Sequence, residues 1–231
     1  MAGLSLTFCG TDLIALPTGA LWWQAERLLV VSDLHLGRSE RIARRGGSLL
    51  PPYETRDTLA RLDADIQAMN PASVICLGDS FDDSAAAEAM EDASTLWLTR
   101  LMAGRHWIWI EGNHDPGPIS LGGTHLASVT RGPLTFRHIA EPKAYAEISG
   151  HYHPKFTLIA RGQRLSRPCL LIDDRRIILP AYGTYTGGLP CTDPALAALI
   201  GPEGRAVLLG SSPVSLPLPS RNGRPRASTA S

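Results

Sequence analysis

Apolar runs that stop abruptly at polar clusters punctuate the first half of the chain. Leu28, Leu29, Val30 and Val31 lead straight into Ser32, Asp33 and His35 within LLVVSDLHLG. Continuous apolar, β-branched character belongs to a strand buried on both faces, so this run predicts an inner strand with Asp33 and His35 at its carboxyl edge. Residues two apart point the same way along an extended chain, which would let the carboxylate and the imidazole converge on one ion. SVICL, Ser73 to Leu77, runs into GDSFDD, Gly78 to Asp83, and HWIWI, His106 to Ile110, runs into EGNHDPG, Glu111 to Gly117. Between these runs, Leu59, Leu62, Ile66 and Met69 recur at helical spacing over Thr55 to Met69, and Asn70-Pro71 ends the pattern. Ala-rich Ser84 to Ala103 predicts a second helix with Met90, Leu96, Trp97 and Leu101 on one side. The order is that of a layered α/β protein. Ligand sites in open α/β sheets lie at the carboxyl ends of strands, so Asp33, His35, Asp79, Asn113 and His114 are expected along one edge.

The flanks read differently. Leu4 to Phe8, Asp12 to Leu16 and Leu21 to Gln24 are short and broken by Gly10, Pro17 and Gly19, which predicts hairpin strands. The second half alternates in short runs at Leu134 to His138, Ala146 to Ser149, Phe156 to Ala160, Cys169 to Ile172, Arg176 to Leu179 and Ala206 to Leu209, and reads mostly as strand. SGHYHP, Ser149 to Pro154, again places two histidines two apart beyond an apolar approach. Trp107 and Trp109 share a strand face and are expected in the core. YGTYTGG, Tyr182 to Gly188, lacks the G-K-[ST] of a phosphate-binding loop and reads as a turn. Beyond about Gly210 the Ser-, Pro- and Arg-rich end predicts a disordered tail, so residues 1–210 are expected to form one domain and 211–231 the tail.

With 231 residues, 44% of them hydrophobic, the chain is long enough for one sizeable core. Its formal net charge of +0 excludes attachment to nucleic acid by bulk charge alone. Local charge is uneven: RSERIARR, Arg38 to Arg45, sets four arginines against one glutamate just beyond Asp33 and His35. Arg38, Arg41, Arg44 and Arg45 are therefore candidates for contact with a phosphodiester, although a solvated basic loop explains them equally well. Cys9, Cys76, Cys169 and Cys191 are widely spaced, without C-x-x-C, and read as reduced thiols. The first residues lack a basic n-region and no apolar run has membrane-spanning length, so a soluble cytoplasmic protein is expected. The sequence sets no oligomeric state.

Asp33-x-His35, Gly78-Asp79-x-x-Asp82, Gly112-Asn113-His114-Asp115, a later lone histidine and Gly150-His151-x-His153 occur in that order, from Leu28 to about Leu179. This succession resembles the calcineurin-like metallophosphoesterases. The resemblance implies a four-layer α/β/β/α sandwich with a two-metal centre at the strand ends. It implies that Asp79 bridges the metals, that Asp33, His35 and His153 complete one, and that Asn113, His151 and the lone histidine complete the other. His138 is preferred for that lone ligand because it ends the alternating run LTFRH; His125, after Gly122-Gly123, looks like loop and is the alternative. His114 would donate a proton to the leaving alkoxide with Asp115 orienting its ring, and Asp82, or the adjacent Asp83, would orient a ligand histidine. Nitrogen and oxygen donors without thiolate suit Mn²⁺, with Fe, Ni or Zn as alternatives. Two such cations a few ångströms apart neutralise phosphoryl charge and activate water.

Within that superfamily, DLHLG with its arginines, LPPYETRDTL, CLGDSF and GTYTGG look most like the ligase-associated DNA damage response endonucleases of bacteria. That likeness implies a DNA substrate, and partnership with an ATP-dependent DNA ligase and a helicase. Two other readings share the motifs: a phosphodiesterase or pyrophosphohydrolase of a small nucleotide, with a closed pocket, and a non-catalytic subunit that has lost its metals.

Overall fold

The computed structural model describes residues 3–39, 53–83, 90–115, 117, 121–160 and 162–219. Strands β1 (Leu4–Phe8), β2 (Thr11–Ala15), β3 (Leu21–Trp23), β4 (Leu28–Val31), β5 (Ser73–Leu77), β6 (His106–Ile110) and β7 (Thr124–Leu126) form one sheet in sequence order. β1 to β4 pair antiparallel as the hairpin pattern predicts, and β4 to β7 pair parallel. Helices α1 (Glu54–Met69) and α2 (Asp92–Met102) connect the parallel strands.

The second sheet contains β8 (Ser128–Arg131), β9 (Leu134–Arg137), β10 (Glu147–Ser149), β12 (Gln163–Ile172), β13 (Arg176–Ile178), β14 (Arg205–Leu208) and β15 (Val214–Pro217). Its spatial order is β15-β14-β12-β13-β10-β9-β8, and β11 (Lys155–Ala160) pairs with the first half of β12 as a projecting hairpin. The six-residue helix α3 (Pro194–Leu199) precedes β14; Asp193 caps it by accepting from the Ala195 N–H.

Period-two alternation explains how these elements stack. Leu28 and Val30 of β4, with Ile75 and Ile108, face Phe136, Ile148, Leu170 and Ile177 of the second sheet and form the core between sheets. Leu29, Val31, Val74 and Trp107 face the other way, onto Leu59, Leu62 and Ile66 of α1 and Leu98 and Leu101 of α2. Leu171, Ile178 and Leu208 on the outer face of the second sheet pack on Leu196 of α3. The expected α/β/β/α layering is present, and its fourth layer is the short α3. Trp107 and Trp109 lie in the helix-side core, ring centroids 5.5 Å apart.

Three expectations need correction. Leu96 is 71% exposed, and Leu98 meets the core in its place beside the expected Met90 and Leu101. β15 pairs with β14, so the domain does not end at Gly210: the alternating Val214-Ser215-Leu216-Pro217 extends the sheet, and residues 220–231 lie outside the described residues. His125 sits in β7 beside Trp109, not in a loop. All four cysteines are free thiols. No helix among the described residues is long and apolar enough to cross a membrane.

Candidate metal centre

Two ligand clusters form where the sheets meet at the carboxyl ends of β4, β5, β6, β9 and β10. Donor atoms of Asp33, His35 and His153 lie within 4.8 Å of one another, and so do those of Asp79, His138 and His151. The first sheet supplies Asp33, His35 and Asp79, and the second supplies His138, His151 and His153. Alternation along an extended strand does not bring Asp33 and His35 together, because the chain leaves β4 before reaching them. Both are left-handed, at φ 52° and 46°, as are Asp79, His151 and His153. Such backbone costs about 1 kcal/mol or more per non-glycine residue and persists where surrounding structure enforces it, commonly at functional sites.

Neighbouring backbone does the enforcing. The Asp33 N–H donates to Gly78 O at 3.2 Å and the His35 N–H to Asp79 O at 2.9 Å, locking the first loop onto the second. The His114 N–H donates to Asp79 Oδ1 at 2.9 Å, and the His151 N–H to Asp33 Oδ2 at 2.9 Å. Ser32 Oγ also donates to Asp33 Oδ2. Gly150 is required by proximity, since a Cβ there would lie 1.8 Å from Ser32 Oγ.

Inside the second cluster, His138 Nε2 is 2.9 Å from Asn113 Oδ1, 3.2 Å from His151 Nδ1 and 3.4 Å from Asp79 Oδ2. Its Nδ1 lies 2.8 Å from Leu77 O, an acceptor, so Nδ1 carries a hydrogen and Nε2 faces the cluster. In the first, His153 Nε2 is 3.2 Å from Asp33 Oδ1. His35 Nδ1 is 3.0 Å from Asp82 Oδ1, with Asp82 fully buried behind it, the position expected of a carboxylate that orients a ligand histidine.

A pair of divalent cations fits this donor set. Asp33 Oδ1, His35 Nε2 and His153 Nε2 are buried and converge on one point, with no well-formed hydrogen bond to any group outside the cluster. Burial opposes the charge on Asp33, yet hydrogen bonding and charge from His153 hold its carboxyl below the usual range. Asp79 is likewise held low against burial, by His138 and by the His114 N–H. Burial lowers the affinity of His138 for its proton, but Asp79 and Asp33 more than reverse this, and its pKa is raised. His151 is lowered, by burial and by His138. Two charged carboxylates thus recruit a proton onto His138 in the place a cation would take, while His151 stays in the neutral form that ligates metal.

His114 joins neither cluster. It is 34% exposed beside them, with Nε2 4.0 Å from Asp79 Oδ2 and Nδ1 3.1 Å from the Asp82 carbonyl oxygen. Asp115 does not orient it: its Oδ2 accepts from the Ser80 N–H at 2.8 Å and the Phe81 N–H at 3.1 Å, pinning the loop that carries Asp79. Burial pushes the Asp115 carboxyl up to about 6. The role that the resemblance implied for Asp115 is not the one it has here, since its carboxylate faces the Ser80 and Phe81 backbone. Arg38 is not a free cation at the rim either, since its Nη1 is 3.3 Å from Asp82 Oδ1. Arg41, Arg44 and Arg45 lie outside the described residues. His125 stacks on Trp109 with centroids 6.4 Å apart and belongs to neither donor group.

Sequence reasoning missed the segment 182–188, which binds the site together. The Tyr182 N–H donates to Ser32 O at 2.8 Å and the Gly183 N–H to Asp33 O at 3.0 Å. A Cβ at Gly183 would lie 2.1 Å from Leu34 O. Gly183 and Gly188 serve close approach between backbones; the expected turn is present at 184–185, and what the sequence did not reveal is its contact with the metal-bearing loop.

Residues 26–188 match the calcineurin-like phosphoesterase family. The chain is a calcineurin-like phosphoesterase. Members of this family use a dinuclear metal centre, and the two donor clusters are its counterpart here. Among solved structures, this phosphoesterase is similar to the crystal structure of Pseudomonas putida nuclease MPE, with 30% identity and a TM-score of 0.71, over 92% of this chain and 100% of that one. No curated protein sequence matches it.

Proposed function

We propose that this phosphoesterase is a metal-dependent nuclease that hydrolyses phosphodiester bonds in DNA. The observation that carries the reading is the juxtaposition of two complete donor clusters with His114, a partly exposed imidazole that belongs to neither. Asp33, His35 and His153 would hold one cation, and Asn113, His138 and His151 the other, with Asp79 between them. Mn²⁺ suits these donors, because none is a thiolate. Two bound cations supply Lewis-acid stabilisation of the phosphoryl oxygens and a hydroxide-like nucleophile at neutral pH.

The chain's own contribution is geometric and protonic. With Nδ1 hydrogen-bonded to the Asp82 carbonyl, His114 turns Nε2 toward the reacting phosphate, where it delivers a proton to the leaving alkoxide. Asp82 serves twice, its carboxylate behind His35 and its carbonyl behind His114. The similarity to a nuclease supports nucleic acid over a small nucleotide as substrate. The intact donor set counts against a metal-free subunit. Resemblance to the ligase-associated endonucleases extends the proposal to DNA repair, alongside an ATP-dependent DNA ligase and a helicase.

Assays with Mn²⁺ on supercoiled plasmid, single-stranded DNA, a chromogenic phosphodiester and a chromogenic monoester, using wild type and His114→Ala, test the reading. Cleavage of DNA that His114→Ala abolishes is expected. Good turnover of the small diester with every DNA left intact would refute the nuclease assignment and favour a small-nucleotide substrate.

A further inference from the structure

Two hollows flank the metal-bearing rim, and they differ in charge. On the β6 side a pocket of about 400 Å³ is bounded by Glu111, Glu141 and Arg137 and reaches the proposed ligands Asn113 and His138. On the β3 side a trough of about 860 Å³ is lined by Arg61, Lys155, Arg167 and Tyr185, and no Asp or Glu lines it.

Strand direction puts this trough at the same end as the metals. Leu21 pairs with Val30, so the turn before β3 lies where β4 releases Asp33. Leu171 pairs with Ile178 and Cys169 with Leu208, which brings Arg167 and Gly210 to that end from the second sheet. Gly183 and Lys155 complete the link: one is hydrogen-bonded to Asp33 O, and the other follows His153 by two positions.

The cations differ in availability. Arg61 is committed, donating to Tyr182 O at 2.8 Å and to Asp57 Oδ2 at 3.0 Å. Lys155 Nζ makes one long bond, 3.3 Å to Thr186 O, and an ammonium has three donors. Arg167 is exposed, and its guanidinium has no ion pair or hydrogen bond among the described residues. Tyr185 is 51% exposed and left-handed at φ 59°, a backbone that aromatic residues seldom adopt, and its ring stands at the rim. A basic trough whose nearest carboxylate, Asp57, is taken up by Arg61 and Thr184, with a flat aromatic face at its edge, is the combination that tracks a nucleic-acid backbone.

Resting on the nuclease reading, we propose that this trough binds the strand on one side of the scissile phosphate: Lys155 and Arg167 contact backbone phosphates, and the Tyr185 ring packs on a sugar or base. The basic segment after Asp33 is then not the sole phosphate-binding element.

The test uses the full chain loaded with Mn²⁺, and reads the ratio of kcat/KM for a mixed-sequence oligonucleotide to that for a small chromogenic diester. A ratio is insensitive to the fraction of folded enzyme. Lys155→Gln with Arg167→Gln should lower it about tenfold or more, mainly through KM for the oligonucleotide. The same pair should make the log–log salt dependence of that KM shallower by about 1.4, at ~0.7 per phosphate contact. Tyr185→Asn, which keeps a residue that tolerates left-handed backbone, should lower the ratio several-fold without changing the slope. Arg164→Gln, an equal charge change near the far end of the β11–β12 hairpin, is the control. A double variant with the wild-type ratio and slope, or an equal fall in the control, overturns the trough while leaving the nuclease reading standing. Wild type that turns over the small diester and cleaves no nucleic acid overturns both.

Discussion

The His114 ring is anchored 3.1 Å from the backbone carbonyl of Asp82, whereas the carboxylate beside it in sequence, Asp115, faces away and accepts two backbone N–H groups. A carbonyl holds a single tautomer without adding negative charge near the incoming phosphate. Asp115→Asn preserves one acceptor for the Ser80 and Phe81 N–H groups and should keep kcat within about tenfold of wild type. Asp115→Ala leaves both unpaired, at a cost of about 1–3 kcal/mol each, and should lower stability and activity together. If Asp115 oriented His114, both variants would lose activity by about 10⁴-fold, as happens where a carboxylate fixes a catalytic histidine.

Metal content and turnover separate the two kinds of histidine. His114→Ala should lower turnover by about 10²–10⁴-fold and retain its metal by elemental analysis. His153→Ala or Asp33→Ala should lose one equivalent. Stripping both metals with a chelator should lower the unfolding temperature of the wild type, because cations that bind only the folded chain stabilise it. The His114 finding fails if its variant also loses metal.

Gly150→Ala tests the close approach between the sheets. The new methyl would meet Ser32 Oγ and the Asp33 carboxylate, both beside left-handed Asp33, and overpacking of this kind costs about 1–3 kcal/mol. Metal affinity should fall along with stability. Stability and metal affinity at wild-type levels would show that the loops can separate freely.

Asp65 gives a pH signature remote from the metals. Burial raises its pKa above 3.8 even though Thr18 and Tyr182 donate to its carboxylate. The folded chain therefore holds this proton to a higher pH than the unfolded chain, and stability from this group falls as pH rises from 3.8 through the raised value. Relative to wild type, Asp65→Asn should gain stability over that window in urea unfolding. A difference independent of pH would contradict the shift.

Arg176 and Glu147 are buried in the second sheet, with Nη1 and Oε2 3.5 Å apart and Arg137 Nε 3.1 Å from Glu147 Oε1. Arg176→Met strands part of that carboxylate's charge and should cost about 3 kcal/mol in equilibrium unfolding, the lower end for breaking a buried pair, because Arg137 remains. A change below about 1 kcal/mol would mean that water reaches Glu147.

The inner strands and the residues at their ends were legible because β4, β5 and β6 are buried on both faces and write continuous apolar runs, while polar residues interrupt them only where chemistry requires it. Geometry at those ends was not legible. The convergence of Asp33 and His35 depends on left-handed kinks that hydrogen bonds from distant loops impose, and no local preference encodes them. The same holds for Asp82: its carbonyl, which the sequence cannot distinguish from any other, holds His114. Arg167 and Tyr185 passed unnoticed for another reason, since each is an unremarkable surface residue until β12 and segment 182–188 fold onto one rim.

The division of donors between the two sheets has a consequence for the life of the chain. Asp33, His35 and Asp79 come from the first sheet and His138, His151 and His153 from the second, so neither sheet alone offers either cation its full set. A nascent or half-unfolded chain cannot assemble the complete metal centre. Metal-binding competence therefore requires the two sheets to be docked, and a molecule that loses this docking loses both cation sites at once.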